Sequence, residues 1–340
     1  MIKLENVELD FSFVYSPKCA CSTLRRIFLN LKGIDHASEG YKKYFQSPEQ
    51  YFYSGCETSK NYWFVRDPFD RFCSALKNIL INRLDLLNRA VSIGGINYRD
   101  IGDFSESLPN NMSLIQQDLD NGTFLLAFSD NSWVTFIKSI EDYLEKPILE
   151  ITLRDFVEFL FGQTSLDKID VHFVPQVYNR HGINISKDIE IINIVDLDAF
   201  LKDLMAGFSI EYIAGNKVEM NKSNYSINQL LTPETRIVDI SPDINQSSLN
   251  IPLIREFVSS YYKLDYERFN FVLNFNNNSD SPEMSYSQLL LNRCKAVFAG
   301  FQPEQYLQKN SDLSKAGITT LDQAMEHFLK FGQFEDREIL

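Results

Sequence analysis

Apolar positions along the first ninety residues fall into two kinds of run. Residues 7–15 (VELDFSFVY) are rich in β-branched and aromatic side chains and break at Ser16-Pro17, the pattern of a buried strand entering a loop. Beyond the loop, Leu24, Ile27, Phe28 and Leu31 recur at helical spacing, with Ser22 or Thr23 placed to cap the helix and Gly33 to end it. The same order returns at residues 62–65 (YWFV), an apolar strand stopping at Arg66. There Asp67 is placed as an N-cap, Pro68 as the first helical residue, and Phe72, Ala75, Leu76 and Ile79 form the apolar stripe. Two strand–loop–helix units predict an α/β fold with a mostly parallel central sheet flanked by helices. Both loops then face one crevice beyond the C-terminal ends of the strands.

Further on, residues 133–144 are amphipathic, and a helix over 152–161 opens with Thr152 and Asp155 at the N-cap and N3 positions. Residues 92–112, with Gly94-Gly95 and Pro109, read as a loop. Residues 189–195 (IEIINIV) read as a strand leading into a helix over 197–205, residues 214–250 as a polar, Asn- and Ser-rich loop of mobile composition, and 252–262 and 265–271 as helices. The run NFNNNSDSPE has no apolar periodicity. It divides the chain into a main domain over 1–273, a linker over 274–285, and a small helical C-terminal appendage over 286–340. The appendage, with helical patterns at 304–308 and 321–331, is too short to bury a deep core alone, so it should pack on the main domain or on a partner.

Composition narrows the function. The chain has 340 residues, 44% hydrophobic and 23% charged, within the globular range. A net charge of −13 argues against a general binder of nucleic acid or anionic membrane. The charge is unevenly spread: residues 1–90 hold 13 Lys and Arg against 10 Asp and Glu, and the remainder holds 20 against 36. An anionic ligand should therefore sit near the N-terminal loops. Five cysteines make an odd, sparse set, which reads as reduced thiols. Acids at Glu5, Glu8 and Asp10 occupy the place of a leader's apolar stretch, and no apolar run is long enough to span a membrane. The expectation is a soluble cytoplasmic protein.

The first loop, Pro17-Lys18-Cys19-Ala20-Cys21-Ser22-Thr23, puts a cation, hydroxyls and helix N-terminal N–H groups around one point, which suits a phosphate or sulfate. It has no glycine, which disfavours an ordinary ATPase loop. In the second, Arg66-Asp67-Pro68-Phe69-Asp70-Arg71-Phe72-Cys73-Ser74, Arg66 stands at a strand end and Ser74 about two helical turns later. Arg71 is ambiguous, since an arginine at that helical position is often only a solvated or salt-bridged side chain.

The pair PKCACST and VRDPFDRFCS resembles, in order and spacing, the two cofactor signatures of sulfotransferases that use 3′-phosphoadenosine 5′-phosphosulfate (PAPS), especially the carbohydrate sulfotransferase group. Further similarity lies in residues 170–176 (DVHFVPQ), 189–200 and 262–269 (YKLDYERF), so that the resemblance covers roughly residues 8–273. It implies a P-loop-type three-layer fold. It also implies that Lys18 through Thr23, with Pro17, hold the 5′-phosphosulfate, that Arg66 and Ser74 hold the 3′-phosphate, and that no metal is required. The chain departs from the family pattern at Cys19-Ala20-Cys21, where many members have small or glycine residues.

Sulfuryl transfer needs a cation at the leaving oxygen, donors around the sulfuryl oxygens and a base for the acceptor hydroxyl. Lys18 supplies the first, and the N–H groups of residues 20–23 with the Ser22 and Thr23 hydroxyls supply the second. His172 is the candidate base, since His36 lies in a polar stretch, His181 in a loop and His327 in the appendage. The alternatives are that His172 only orders its loop, or that a carboxylate is the base. Cys19 and Cys21 with Cys56 and Cys73 lack the spacing of a zinc set and read as small buried thiols. Asn221-Lys222-Ser223 resembles a family segment near the nucleotide. The appendage resembles a small module attached to bacterial glycan-modifying proteins, with Phe301, Tyr306, Phe328 and Phe331 as its core and a glycan or protein as its partner. The reading is a sulfotransferase acting on a carbohydrate hydroxyl. Its rivals are a nucleotide or small-molecule kinase on the same fold and a non-catalytic nucleotide- or glycan-binding protein.

Overall fold

The computed structural model describes residues 2–34, 41–46, 49–53, 58–94, 131–163, 168–178, 189–208, 227–271, 290–291, 294, 298, 300–332 and 337. Strands β1 (Ile2–Asn6) and β2 (Phe11–Tyr15) form an antiparallel hairpin with Ile2 opposite Tyr15. The strand expected over 7–15 is thus real only in its second half. Residues 7–10 are the turn, because Asn6 Oδ1 accepts the Leu9 N–H (3.2 Å) and Asp10 adopts φ 53°.

Helix α1 (Cys21–Leu31) follows β2 and ends as the glycine predicts. Gly33 takes φ 70°, and the N–H groups of Gly33 and Ile34 return to the carbonyls of Asn30 and Leu29. After α2 (Tyr41–Gln46) and α3 (Glu49–Phe52), β3 (Lys60–Val65) leads into α4 (Pro68–Ala75), where Asp67 Oδ1 accepts the Asp70 N–H (3.1 Å) and Pro68 is the first residue. The helix expected to continue through Ile79 instead widens into a π-helical stretch, Leu76–Ile81, before α5 (Asn82–Gly94). Trp133 Nε1 donates to the Ile79 carbonyl there (2.8 Å). Helix α5 carries residues 92–94, where a loop was expected; residues 95–112 of that loop lie outside the described residues.

Helices α6 (Asn131–Leu144) and α7 (Leu153–Gly162) precede β4 (Ile189–Asn193) and α8 (Leu197–Gly207). Thr152 and Asp155 form a reciprocal capping box on α7: Thr152 Oγ1 accepts from Asp155 N (3.2 Å), and Asp155 Oδ2 accepts from Thr152 N (2.9 Å). Thr152→Ala is expected to lower stability by about 1 kcal/mol and Thr152→Ser to restore most of it, read from urea midpoints at constant slope.

The sheet runs β1-β2-β3-β4, with β2, β3 and β4 parallel. Alternation along the strands sends Val14, Trp63 and Val65 to one face, against α4 to α7, α9 (Pro252–Tyr261) and α10 (Lys263–Arg268). Phe11, Phe13, Tyr15, Tyr62, Phe64 and Ile192 go to the other, against α1 and α8. The result is a layer of helices on each side of a sheet whose interior strands are apolar on both faces. Residues 227–250 lack regular strands or long helices, as expected, but they are not a free loop. Leu231, Ile237, Ile240, Ile244 and Leu249 are buried in the larger core, since apolar side chains spaced among the polar ones anchor the segment.

The C-terminal helices α11 (Pro303–Lys309), α12 (Ser311–Lys315) and α13 (Leu321–Lys330) gather around stacked Phe301 and Phe328, whose centroids are 4.3 Å apart, and Tyr306, whose hydroxyl meets His327 Nδ1 at 2.9 Å. A β-carbon on Gly332 would stand 2.0 Å from the Tyr306 hydroxyl, so a larger residue there would have to displace that buried side chain. Phe331 stands only at the edge of this centre, against the His327 ring with centroids 5.5 Å apart. It is 37% exposed and lies under the Arg268 guanidinium at 4.8 Å. Lys263 and Lys330 alternate with Glu267 and Glu326 across α10 and α13, so this segment packs on the main body.

Candidate functional site

The parallel strands β2 and β3 end side by side, and their loops meet. The first loop turns tightly at Ser16, whose carbonyl accepts the Cys19 N–H (3.2 Å). Lys18 and Ala20 then adopt φ 68° and 57°. Ala20 is the N-cap of α1 and offers no side-chain cap, so Ser22 and Thr23 stand inside the first turn rather than capping it. The first N–H groups of a helix have no partner within it, and left-handed residues just before it turn neighbouring N–H groups toward a common point. The loop thus forms a concave set of donors without a glycine.

Each left-handed non-glycine residue costs on the order of 1–2 kcal/mol. Three contacts from distant elements hold the loop in this shape. Arg71 Nε donates to the Pro17 carbonyl (3.0 Å), Arg66 Nη1 to the Lys18 carbonyl (3.3 Å), and Cys19 Sγ to Gln176 Oε1 (3.0 Å). Arg71, ambiguous from its helical position, is fully buried, and its Nε meets the adjoining loop and not solvent.

Gln176, also fully buried, is the centre of the arrangement. Its Oε1 accepts from Arg66 N as well as from Cys19 (2.9 Å), and its Nε2 donates to the Arg66 carbonyl (2.8 Å). Its own N–H and that of Val177 are received by the Asp265 carboxylate at 2.8 and 2.9 Å. Burial pushes Asp265 up to about 6 against the opposing pull of the Arg71 charge and these N–H groups. Asp265 is the aspartate of YKLDYERF, and Gln176 closes DVHFVPQ.

The segment that carries Gln176 also carries Asp170 and His172. Asp170 Oδ1 accepts from His172 N (2.9 Å) and meets His172 Nδ1 at 2.5 Å. With Nδ1–H held by the carboxylate, Nε2 is the ring nitrogen left to accept a proton. The ring is partly exposed, with 28% of its side-chain surface accessible, while Asp170 is buried. Burial lowers the His172 pKa, opposed by Asp170 and reinforced by Lys18 and Arg71. Lys18 is pushed down to about 8 by burial, with Arg83 and Arg66 adding to the shift and Asp170 opposing it. Lys18, Asp170, His172 and Arg66 thus share one electrostatic locus. Arg83, which sequence reasoning missed, lies within its reach and stacks over the Trp133 ring at 5.6 Å. It follows the π-helical stretch, so its direction could not be read from helical periodicity.

Ser74 lies on α4 and lines a small cavity with Cys73, Lys77, Gln246 and Leu249; Lys77 is buried there and was not anticipated. Cys19 is a buried thiol, pushed up to about 12 by burial, and Cys21 Sγ approaches the Ser16 carbonyl at 3.5 Å. Among the described residues no group of three or more His, Cys, Asp or Glu side chains can hold a metal ion, and no helix is long and apolar enough to cross a membrane. Cys56, His36, His181, Asn221-Lys222-Ser223 and the 274–285 linker lie outside the described residues.

Comparison with known proteins adds one family. The model described as "Sulfotransferase family" matches residues 8–272. No curated protein and no solved structure matches the chain.

Proposed function

Because the chain belongs to the sulfotransferase family, we propose that it moves the sulfuryl group of PAPS to a hydroxyl of a carbohydrate acceptor by direct in-line transfer. The observation that carries this reading is the convergence of a glycine-free, left-handed anion loop, Lys18, Arg66 and the Asp170–His172 pair at the ends of β2 and β3. The donor set suits an anionic nucleotide, since loop N–H groups, Lys18 and the Arg66 guanidinium gather where the two strands end, and the family resemblance assigns the second phosphate to Arg66 with Ser74. PAPS supplies an activated sulfuryl group on a phosphate leaving group. Pro17 through Thr23 bind the 5′-phosphosulfate, and Arg66 with Ser74 binds the 3′-phosphate. The Lys18 ammonium neutralises charge on the bridging oxygen as its bond to sulfur breaks. His172 Nε2 takes the proton of the acceptor hydroxyl, and Asp170 holds the ring's tautomer and stabilises the imidazolium.

In this reading residues 1–273 are the transfer domain and the segment over 286–340 is an appended module that meets a glycan or protein partner. The acidic body favours a neutral or weakly charged acceptor by simple repulsion.

Calorimetric titration with adenosine 3′,5′-bisphosphate, against AMP and ATP, tests the proposal. The bisphosphate should bind at least tenfold more tightly than AMP, and Arg66→Ala should weaken it by about ten- to a hundredfold, the value of one charged hydrogen-bond set. A preference for ATP would support a kinase instead.

A further inference from the structure

Gln176 joins three parts of the site that the chain keeps far apart. One buried amide receives Cys19 Sγ from the first loop and brackets the Arg66 peptide at the end of β3, accepting from its N–H and donating to its carbonyl. Its backbone is fixed by Asp265 on α10, and four residues earlier in the same segment stands His172. Every polar atom of the amide group is engaged, since Nε2 also reaches Asp265 Oδ2 at 3.4 Å. A shift of the first loop must therefore either loosen the Cys19 bond or draw the amide along and loosen its bonds to the Arg66 peptide, and the converse holds for a shift of Arg66.

We propose that Gln176 is a positioning residue that couples the two phosphate subsites, so that filling one organises the other. The proposal rests on the donor reading given above. A 5′-phosphate that orders residues 17–23 also fixes Cys19, and through the amide it fixes the Arg66 backbone from which the guanidinium projects. A 3′-phosphate on Arg66 acts in the reverse sense by the same amount, as linkage requires. Arg66 Nη1 also bonds the Lys18 carbonyl directly, but deleting Arg66 removes a ligand together with the link. Gln176 lies outside the phosphate-binding loop, and a substitution at Cys19 removes only the thiol that meets Gln176, leaving the loop backbone, Lys18 and Arg66 in place.

The test is titration of wild type, Gln176→Met, Cys19→Ala and Cys19→Ser with adenosine 3′,5′-bisphosphate, adenosine 5′-monophosphate and adenosine 3′-monophosphate, with adenosine itself as the reference that closes the cycle. In wild type the bisphosphate should exceed the affinity expected from the two monophosphates by about tenfold. Gln176→Met and Cys19→Ala should each remove most of that excess, lowering bisphosphate affinity about five- to tenfold and each monophosphate less than threefold, the remainder being carried by the direct Arg66–Lys18 bond. Cys19→Ser, which keeps a donor for Oε1, should retain most of it. Equal losses for all three ligands, or an unchanged excess, would overturn the coupling. If Gln176→Met does not fold, the Cys19→Ala and Cys19→Ser pair decides by itself. A wild type with no preference for the bisphosphate would instead sink the donor reading, and the coupling with it.

Discussion

Lys18→Ala is expected to lower kcat for sulfuryl transfer by about a thousandfold, the effect of removing one preorganised charge from a developing anion. The side chain is placed for this loss because it is partly buried and within electrostatic reach of Arg66, Arg83 and Asp170. Burial lowers its pKa to about 8, so it is a readily perturbed cation that gains most when negative charge grows beside it. Alanine keeps a β-carbon at φ 68°, so the backbone strain is unchanged and the loop retains its three tethers. Binding of the desulfated bisphosphate should therefore fall by no more than about tenfold. Single-turnover kinetics with a sulfated donor, beside calorimetry on the bisphosphate, separates the two effects. A variant with wild-type turnover would exclude Lys18 as the leaving-group cation.

The second large effect is expected at His172. His172→Ala should lower kcat by about 10² to 10⁴, the range of a positioned general base, and pH dependence tells this from a structural role. Burial shifts His172 downward, so the neutral, proton-accepting ring prevails above a pKa below its ordinary 6.5. Activity rises with pH through that value and falls again near 8, as free Lys18 loses its proton. The profile of kcat/KM should be a bell with these limbs. His172→Ala should erase the acid limb and keep the alkaline one; Lys18→Ala should do the reverse. Asp170→Asn should reduce kcat by a smaller factor, because the ring remains but its tautomer is no longer held. If His172 merely orders its loop, its variant would scale the whole bell down and leave both limbs standing.

Much of the candidate site lies in segments that the residue pattern singles out. Lys18 and Arg66 stand at the ends of apolar strands, where an α/β sheet binds ligands, and the structure joins them through the Lys18 carbonyl. Arg71 stayed ambiguous because helical position alone cannot tell a side chain that faces water from one that reaches the carbonyl of Pro17, 54 residues away. Asp170 and Gln176 flank His172 in one heptapeptide, yet their partners, a ring in the one case and two chain segments in the other, have no local signature. Arg83 follows a π-helical stretch that shifts the phase of the helix, so a regular 3.6-residue period misdirects it.

The amino-acid sequence by itself determined the features that arise within three or four residues. These are the cap of Asp67 and Pro68 on α4, the Thr152–Asp155 box on α7, the glycine stop after α1, and the strand-to-helix units that carry both loops. Such contacts form wherever the local chain forms, so composition and spacing suffice to place them. Tertiary structure alone decided that β1 pairs antiparallel with β2, that residues 227–250 pack into the core, and that Gln176 bolts Cys19 to Arg66 over separations of 157 and 110 residues. A buried polar group must find whichever partner the packing brings to it, because leaving it without one costs about 1–3 kcal/mol. That choice is made in space and not along the chain.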